Sequence, residues 1–213
     1  MLAVLIATLV FGVTHSLFAG QPIKQAVRRR LGDRAYMGLY RLGYNLVAMA
    51  GFSIVIFLAY MESSTIWLVD GAPGLLLLVV QVIGLAGLSI SLLQIDLGRF
   101  LGLSQLRAFV NGQALPLPPE SLQTGGVYRI VRHPLYLFSL LVIWAFPRMT
   151  EGWLAFNIMV TLYMIIGSIL EERRLIQEFG QQYVDYQRQT SWLIPTKRSY
   201  RAIESTGRKA GIE

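Results

Sequence analysis

Apolar residues along this chain fall into five blocks set apart by polar, basic or glycine-containing stretches: Leu2 to Ala19, Leu42 to Met61, Leu75 to Leu93, Leu135 to Phe146 and Trp153 to Leu170. Crossing about 30 Å of hydrocarbon takes roughly 20 helical residues, and four blocks approach that length. The fourth has 12 residues and is the weak one. It extends backward through Pro134, which suits a first helical turn because its missing N–H needs no partner there. Only residues 147–152 separate the last two blocks, so they are expected to form a tight helical hairpin. The pattern predicts an all-α integral membrane protein with five transmembrane helices. Leu175, Ile176, Phe179 and Tyr183 then recur at helical spacing, so residues 171–189 read as an amphipathic tail helix on the membrane face. The first block has no basic residue before it and no small-residue cleavage pattern after it, which argues against a cleaved signal peptide.

Composition strengthens this reading. The chain of 213 residues is 54% hydrophobic with mean hydropathy +0.51, and 15% of it is charged. A soluble domain carries about 25%. There is no cysteine, which excludes disulfides, thiolate metal sites and a cysteine nucleophile, and with two histidines a histidine metal cluster is not expected.

The formal charge of +7 is explained by topology. Of 19 basic residues, six lie in 20–41, four in 94–134 and eight from 171 onward, whereas 62–74 has none and the last hairpin turn has only Arg148. Alternate loops therefore carry the positive charge, which sets the N-terminus outside and the C-terminus, with its tail helix, in the cytoplasm. The inner basic residues suit anionic lipid, and no aromatic stacking platform lies among them to suggest nucleic acid. No internal repeat of the transporter kind is found.

With that orientation the polar residues collect at the cytoplasmic boundary: His15 near the end of the first block, Arg41, Tyr44 and Asn45 at the start of the second, and Gln94 and Asp96 after the third. Arg129, Arg132, His133 and Tyr136 enter the fourth, and Glu171 and Glu172 leave the fifth. Such groups are costly in hydrocarbon unless paired or wetted, so a one-sided pocket is one reading. Each residue has a plainer one. His15 could bond a neighbouring helix, Arg28, Arg29 and Arg30 could anchor lipid headgroups, and Arg41 could snorkel. Asn45 could be interhelical glue, and Gln94 and Asp96 boundary or capping groups. Gly84 and Gly87 suit close helix contact.

The segment Thr124-Gly-Gly-Val-Tyr-Arg-Ile-Val-Arg-His-Pro-Leu-Tyr136 sets glycines, two arginines and a histidine at the mouth of a helix. Arginine forks and helix N-terminal N–H groups suit anionic ligand parts, although a basic loop before a membrane helix is also common. Glu171 and Glu172 could take ribose hydroxyls or an amine, or could simply end the helix in water.

The stretch Gly126-Val-Tyr-Arg-Ile-Val-Arg-His-Pro-Leu-Tyr136 resembles the Gly-Pro-Tyr-Arg…Arg-His-Pro-x-Tyr signature of the isoprenylcysteine carboxyl methyltransferase superfamily. Glu171-Glu-Arg-Arg…Phe-Gly-Gln-Gln-Tyr-Val-Asp-Tyr186 is similar to its Glu-Glu…Phe-Gly-x-x-Tyr-x-x-Tyr ending. Val127 stands where the family usually has proline. Thr14 to Ala19 and Leu39 to Asn45 resemble the bacterial NnrU and methanethiol S-methyltransferase branch. The resemblance implies a single membrane methyltransferase domain over 1–213 with a cofactor-binding core in 121–195. It implies S-adenosylmethionine bound from the cytoplasm by Val127, Tyr128, Arg129, His133, Tyr136, Glu171 and Glu172, with Glu172 also a candidate to hold a neighbouring arginine. Arg132 becomes a candidate for placing cofactor or substrate.

Methyl transfer from a sulfonium needs mainly alignment of donor and acceptor. A nearby arginine such as Arg41 could favour a deprotonated acceptor, and His15 is the candidate base for a protonated thiol or amine. The acceptor expected is a small hydrophobic thiol; a prenylated carboxylate, a phospholipid amine or a non-catalytic scaffold or transport accessory are the alternatives. Expected surroundings are membrane lipids, a bacterial inner membrane and a site facing the cytoplasm, with no nucleic acid and no obligate protein partner.

Overall fold

The computed structural model describes residues 1–196. Lys197, Arg198, Arg201, Arg208 and Lys209, counted above with the inner basic residues, lie outside them. The helices are α1 (Leu2–Ala19), α2 (Gln21–Leu31), α3 (Asp33–Met61), α4 (Gly71–Leu93), α5 (Leu97–Leu101), α6 (Leu103–Val110), α7 (Pro134–Trp144), α8 (Glu151–Phe179) and α9 (Gln181–Gln189). A 3-10 turn covers Gly126–Arg129, and two short strands, β1 (Thr65–Leu68) and β2 (Arg148–Thr150), form a two-stranded sheet.

Among the described residues four helices, α1, α3, α4 and α8, are long and apolar enough to cross a membrane, and only 11–22% of each apolar window is buried inside the protein. Side chains such as Leu2, Leu75 and Val82 are more than 60% exposed. In water this continuous apolar surface would drive association; in a bilayer it is the lipid-facing surface. The chain is a multi-pass membrane protein.

Helix α1 coincides with the first apolar block. Helix α7 has 11 residues with Pro134 in its first turn, and at 1.5 Å per residue it rises only about 16 Å. The end of the fifth block differs from expectation: α8 does not stop at Leu170 but continues to Phe179, so 171–189 is not one tail helix. Glu171, Glu172, Arg173, Arg174 and Leu175 are good helix formers, so a fall in hydropathy there ends the apolar surface without ending the helix. Gly180, at φ +57°, separates α8 from α9.

The chain divides into two compact units. The first comprises Met1–Trp67, Asp96–Glu120 and Met149–Val160. Within it α1 and α6 pack on α3, and the core holds Val4, Val55, Ala59, Ala108, Met149 and Phe156. Phe52 and Phe156 rings meet at 5.8 Å. The second comprises Leu68–Ile95, Ser121–Arg148 and the described residues from Thr161 to Thr196. Here α4 lies closely on α7, with Gly84 and Gly87 facing Val142 and Phe138, as the small-residue reading expects.

Within the second unit α7 runs antiparallel to the later part of α8. Trp144 donates its indole N–H to Thr161 Oγ1 at 3.0 Å, and at the other end Tyr136 donates its hydroxyl to Glu171 Oε2 at 2.9 Å. The expected hairpin is thus formed, and its register brings the start of α7 to the two glutamates.

Candidate functional site

The two sequence motifs meet in the second unit. His133 caps α7 in a non-helical conformation, φ −121° and ψ 63°, because a following proline disfavours the helical region. Pro134 then opens the helix, so one turn presents His133 and Tyr136 together. Their rings stack at 5.4 Å with an interplanar angle of 4°. Across from them, Glu171 and Glu172 occupy adjacent positions on α8.

The two carboxylates are used differently. Glu172 is saturated with donors: Arg132 Nε at 2.6 Å, Gln187 Nε2 at 2.9 Å, His133 Nε2 at 3.3 Å and the Tyr183 hydroxyl at 3.4 Å. The expectation that Glu172 holds a neighbouring arginine is what is seen. Glu171 accepts from Tyr136 and lies 3.7 Å from His133 Nδ1, while its side chain remains 34% exposed. Of the pair, Glu171 is the carboxylate with access to a ligand.

Arg132 is engaged through Nε and Nη1. Besides Glu172, its guanidinium donates to the carbonyls of Gln187 at 3.2 Å and Thr190 at 2.5 Å. Its main-chain N–H donates to Ser191 O at 2.8 Å, and that of His133 to Trp192 O at 3.3 Å. Residues 131–133 are therefore stitched to the segment that follows α9, and Val131 and Ser191 form a parallel bridge. Tyr186 completes the clasp by donating to Tyr128 O at 2.5 Å. Burial, with the Glu172 carboxylate adding for Tyr183, pushes both α9 phenols upward, so they stay neutral donors. The Tyr128 phenol is pushed up to about 12 by burial and by Glu171.

The turn before α7 is held by α4. Gly126 adopts φ +55°, and a Cβ there would lie 2.3 Å from Gln94 Nε2. Glycine is needed for both the backbone and the space. Gln94 Oε1 accepts the Val127 N–H at 3.1 Å, so its role exceeds that of a boundary residue. Arg129, at the end of the turn, is exposed.

Two expected site residues lie in the first unit. His15 Nε2 and the Tyr44 hydroxyl are 2.7 Å apart, linking α1 to α3 as the plainer reading anticipates. Arg41 is exposed on α3. Asn45 donates to Phe100 O at 2.9 Å, and Asp96 caps α5 by accepting the Arg99 N–H at 2.9 Å. Arg28 pairs with Asp33 at 2.6 Å. Tyr183, Tyr186 and Gln187 were absent from the expected site. Together with Thr190 they recur at i, i+3, i+4 and i+7, a one-faced pattern that could have marked them.

Residues 3–191 match the family model described as NnrU protein. The chain is similar to methanethiol S-methyltransferase 2 of Bradyrhizobium diazoefficiens, with 33% identity over 189 residues, covering 87% of this chain and 69% of that protein. It is similar to the methanethiol S-methyltransferase of Mycobacterium tuberculosis, with 33% identity over 191 residues, 87% of this chain and 74% of that one. The similarity to the methanethiol S-methyltransferase of Pseudomonas deceptionensis is 44% over 78 residues and spans 37% of this chain and 30% of that relative. No solved structure matches the chain.

Proposed function

Because the chain belongs to the NnrU family, we propose that it is a membrane methyltransferase that uses S-adenosylmethionine to S-methylate a small hydrophobic thiol. The carrying observation is the stacked His133–Tyr136 pair edged by Glu171, one carboxylate left open while its neighbour is saturated. The names of the similar proteins support the substrate class.

The donor set suits this cofactor. A sulfonium cation is drawn to ring faces and carboxylates, and ribose hydroxyls or an amino group need an acceptor such as Glu171. Tyr136, His133 and Glu171 would hold it, with the backbone of Val127, Tyr128 and Arg129 shaping the edge. When bound, S-adenosylmethionine supplies a methyl group on a sulfonium with a good neutral leaving group. The chain's residues hold and align the reactants. Arg132 and Glu172 act as positioning residues, because the Glu172 carboxylate and the Nε and Nη1 groups of Arg132 are spent on each other, on α9 and the residue after it, and on His133. His15 takes the thiol proton in this reading, and the charge of Arg41 favours the thiolate.

The reading includes five crossings, with the N-terminus outside a bacterial inner membrane and the site on the cytoplasmic side. Short as α7 is, six further residues, 145–150, can add up to about 20 Å when extended. Met149 and Thr150 are buried, and non-helical backbone at membrane depth is tolerated where protein covers it. Membrane lipids suffice as surroundings, and no protein partner is required.

Calorimetry of the folded protein with S-adenosylhomocysteine tests the proposal. Saturable binding is expected, and its absence in folded protein would reject the methyltransferase reading. A screen of short thiols, prenylcysteines and lipid amines should show turnover with the thiols.

A further inference from the structure

The first unit contains a groove between α1 and α3, of which the functional reading has used His15 alone. Its volume is about 220 Å³, and its walls include Ala7, Phe11, His15, Tyr44, Ala48 and Gly51. An apolar cavity of about 150 Å³ accepts a molecule the size of benzene, whereas pockets for drug-sized ligands run from about 300 to 1,000 Å³. The space therefore suits a small molecule.

Ala7, Ala48 and Gly51 are small residues on its walls. Gly51 faces Phe11, and a Cβ there would come within 3.1 Å of the ring. Aromatic rings frame one side: Phe11 stacks on His15 at 5.4 Å, His15 meets Tyr44 at 4.8 Å, and Phe11 meets Phe52 at 5.6 Å. Thr14 turns its hydroxyl back to Val10 O at 2.8 Å, so it belongs to its own helix. The hydrogen-bonding face of the groove is the His15–Tyr44 pair, 2.7 Å apart. A phenol hydroxyl can donate one hydrogen bond and accept two, so the pair can address a thiol in either histidine tautomer. Divalent sulfur also favours aromatic surroundings, at about 5 Å from a ring.

We propose that this groove binds a small, neutral, apolar thiol reaching it through the bilayer, with its sulfur toward His15 and Tyr44. As the acceptor site it rests on the methyltransferase reading; as a binding site it does not. Small volume, aromatic framing and one hydrogen-bonding pair together favour this occupant over a lipid chain, which needs no polar pair and is much longer.

The test uses the full chain in phosphatidylcholine nanodiscs, with ethanethiol as probe. Saturation-transfer NMR should detect ethanethiol binding to the wild type. Ala48→Phe, which fills the groove from α3, should abolish that signal and raise the thiol KM at least about tenfold. Its affinity for S-adenosylhomocysteine should stay within about twofold, which also shows that the variant is folded. Ala7→Leu fills the groove from α1 and should act in the same direction, and Tyr44→Phe should raise the thiol KM with little effect on dimethyl sulfide binding. Unchanged ethanethiol binding in both filled variants would overturn the proposal. So would undiminished photolabelling of Phe11 or Ala48 by a diazirine phosphatidylcholine in excess thiol. A wild type that binds ethanethiol but no S-adenosylhomocysteine would reject the methyltransferase reading and leave the groove standing.

Discussion

Arg132 Nε lies 2.6 Å from Glu172 Oε1, with side chains only 10% and 15% exposed. Removing one member of such a pair leaves an uncompensated charge, at a typical cost of about 3–5 kcal/mol. Glu172→Ala should therefore lower stability by that order, measured by denaturant titration in detergent. Arg132→Met with Glu172→Leu removes both charges and should recover part of the loss. Recovery stays partial because Arg132 also ties the carbonyls of Gln187 and Thr190. A Glu172→Ala variant as stable as the wild type would show that the pair is not what holds α9.

Tyr136 donates to Glu171 at 2.9 Å, a hydrogen bond to a charged acceptor. Such bonds contribute about 1.5–3 kcal/mol. If the bond fixes Glu171 for the cofactor, Tyr136→Phe should weaken S-adenosylhomocysteine binding about ten- to a hundredfold by calorimetry. Glu171→Gln should do similar damage, and the double variant should fall short of the product of the two, since one bond is lost twice. Fully multiplicative losses would show that the residues act separately.

Much of this arrangement was legible in the chain. Apolar blocks located α1, α4 and the membrane part of α8, and the two motifs named His133, Tyr136 and Glu171. Hydropathy could not show that α8 continues past Leu170, because lipid contact can end where helical hydrogen bonding does not. Nor could it reveal α2, α5 and α6, which are short and lie in segments read as loops. The saturation of Glu172 was legible only in part. Arg132 was a guessable partner, but Gln187 and Tyr183 reach it because Gly180 turns α9 back, and the 190–192 segment then pairs with 131–133. That return is a tertiary event, and no local pattern encodes it.

Gly87 on α4 faces Phe138 of α7 so closely that a Cβ would lie 2.3 Å from the ring. Overpacking of this kind costs about 1–3 kcal/mol. Gly87→Ala should lower the thermal midpoint, and adding Phe138→Leu should restore most of it. If the single variant is neutral, the α4–α7 approach is looser than described.

The absence of cysteine makes the five-crossing topology directly measurable, because single cysteines can be introduced without removing any. Asp70, Gln113, Arg148 and Gln182 are all exposed and sit between successive apolar helices or after the last. In intact cells a membrane-impermeant maleimide should label Asp70→Cys and Arg148→Cys. It should reach Gln113→Cys and Gln182→Cys only after permeabilisation, because basic residues crowd their loops. Arg148 decides between two arrangements. If α7 and residues 145–150 cross the bilayer, position 148 meets outer water; if α7 dips and returns, it does not. Labelling at 70 with none at 148 would remove the α7 crossing; with α8 still spanning, four crossings would remain and position 182 would be labelled from outside. Label at 113 before permeabilisation would reverse the orientation, and the proposed methyl-donor site would then face away from the cytoplasm.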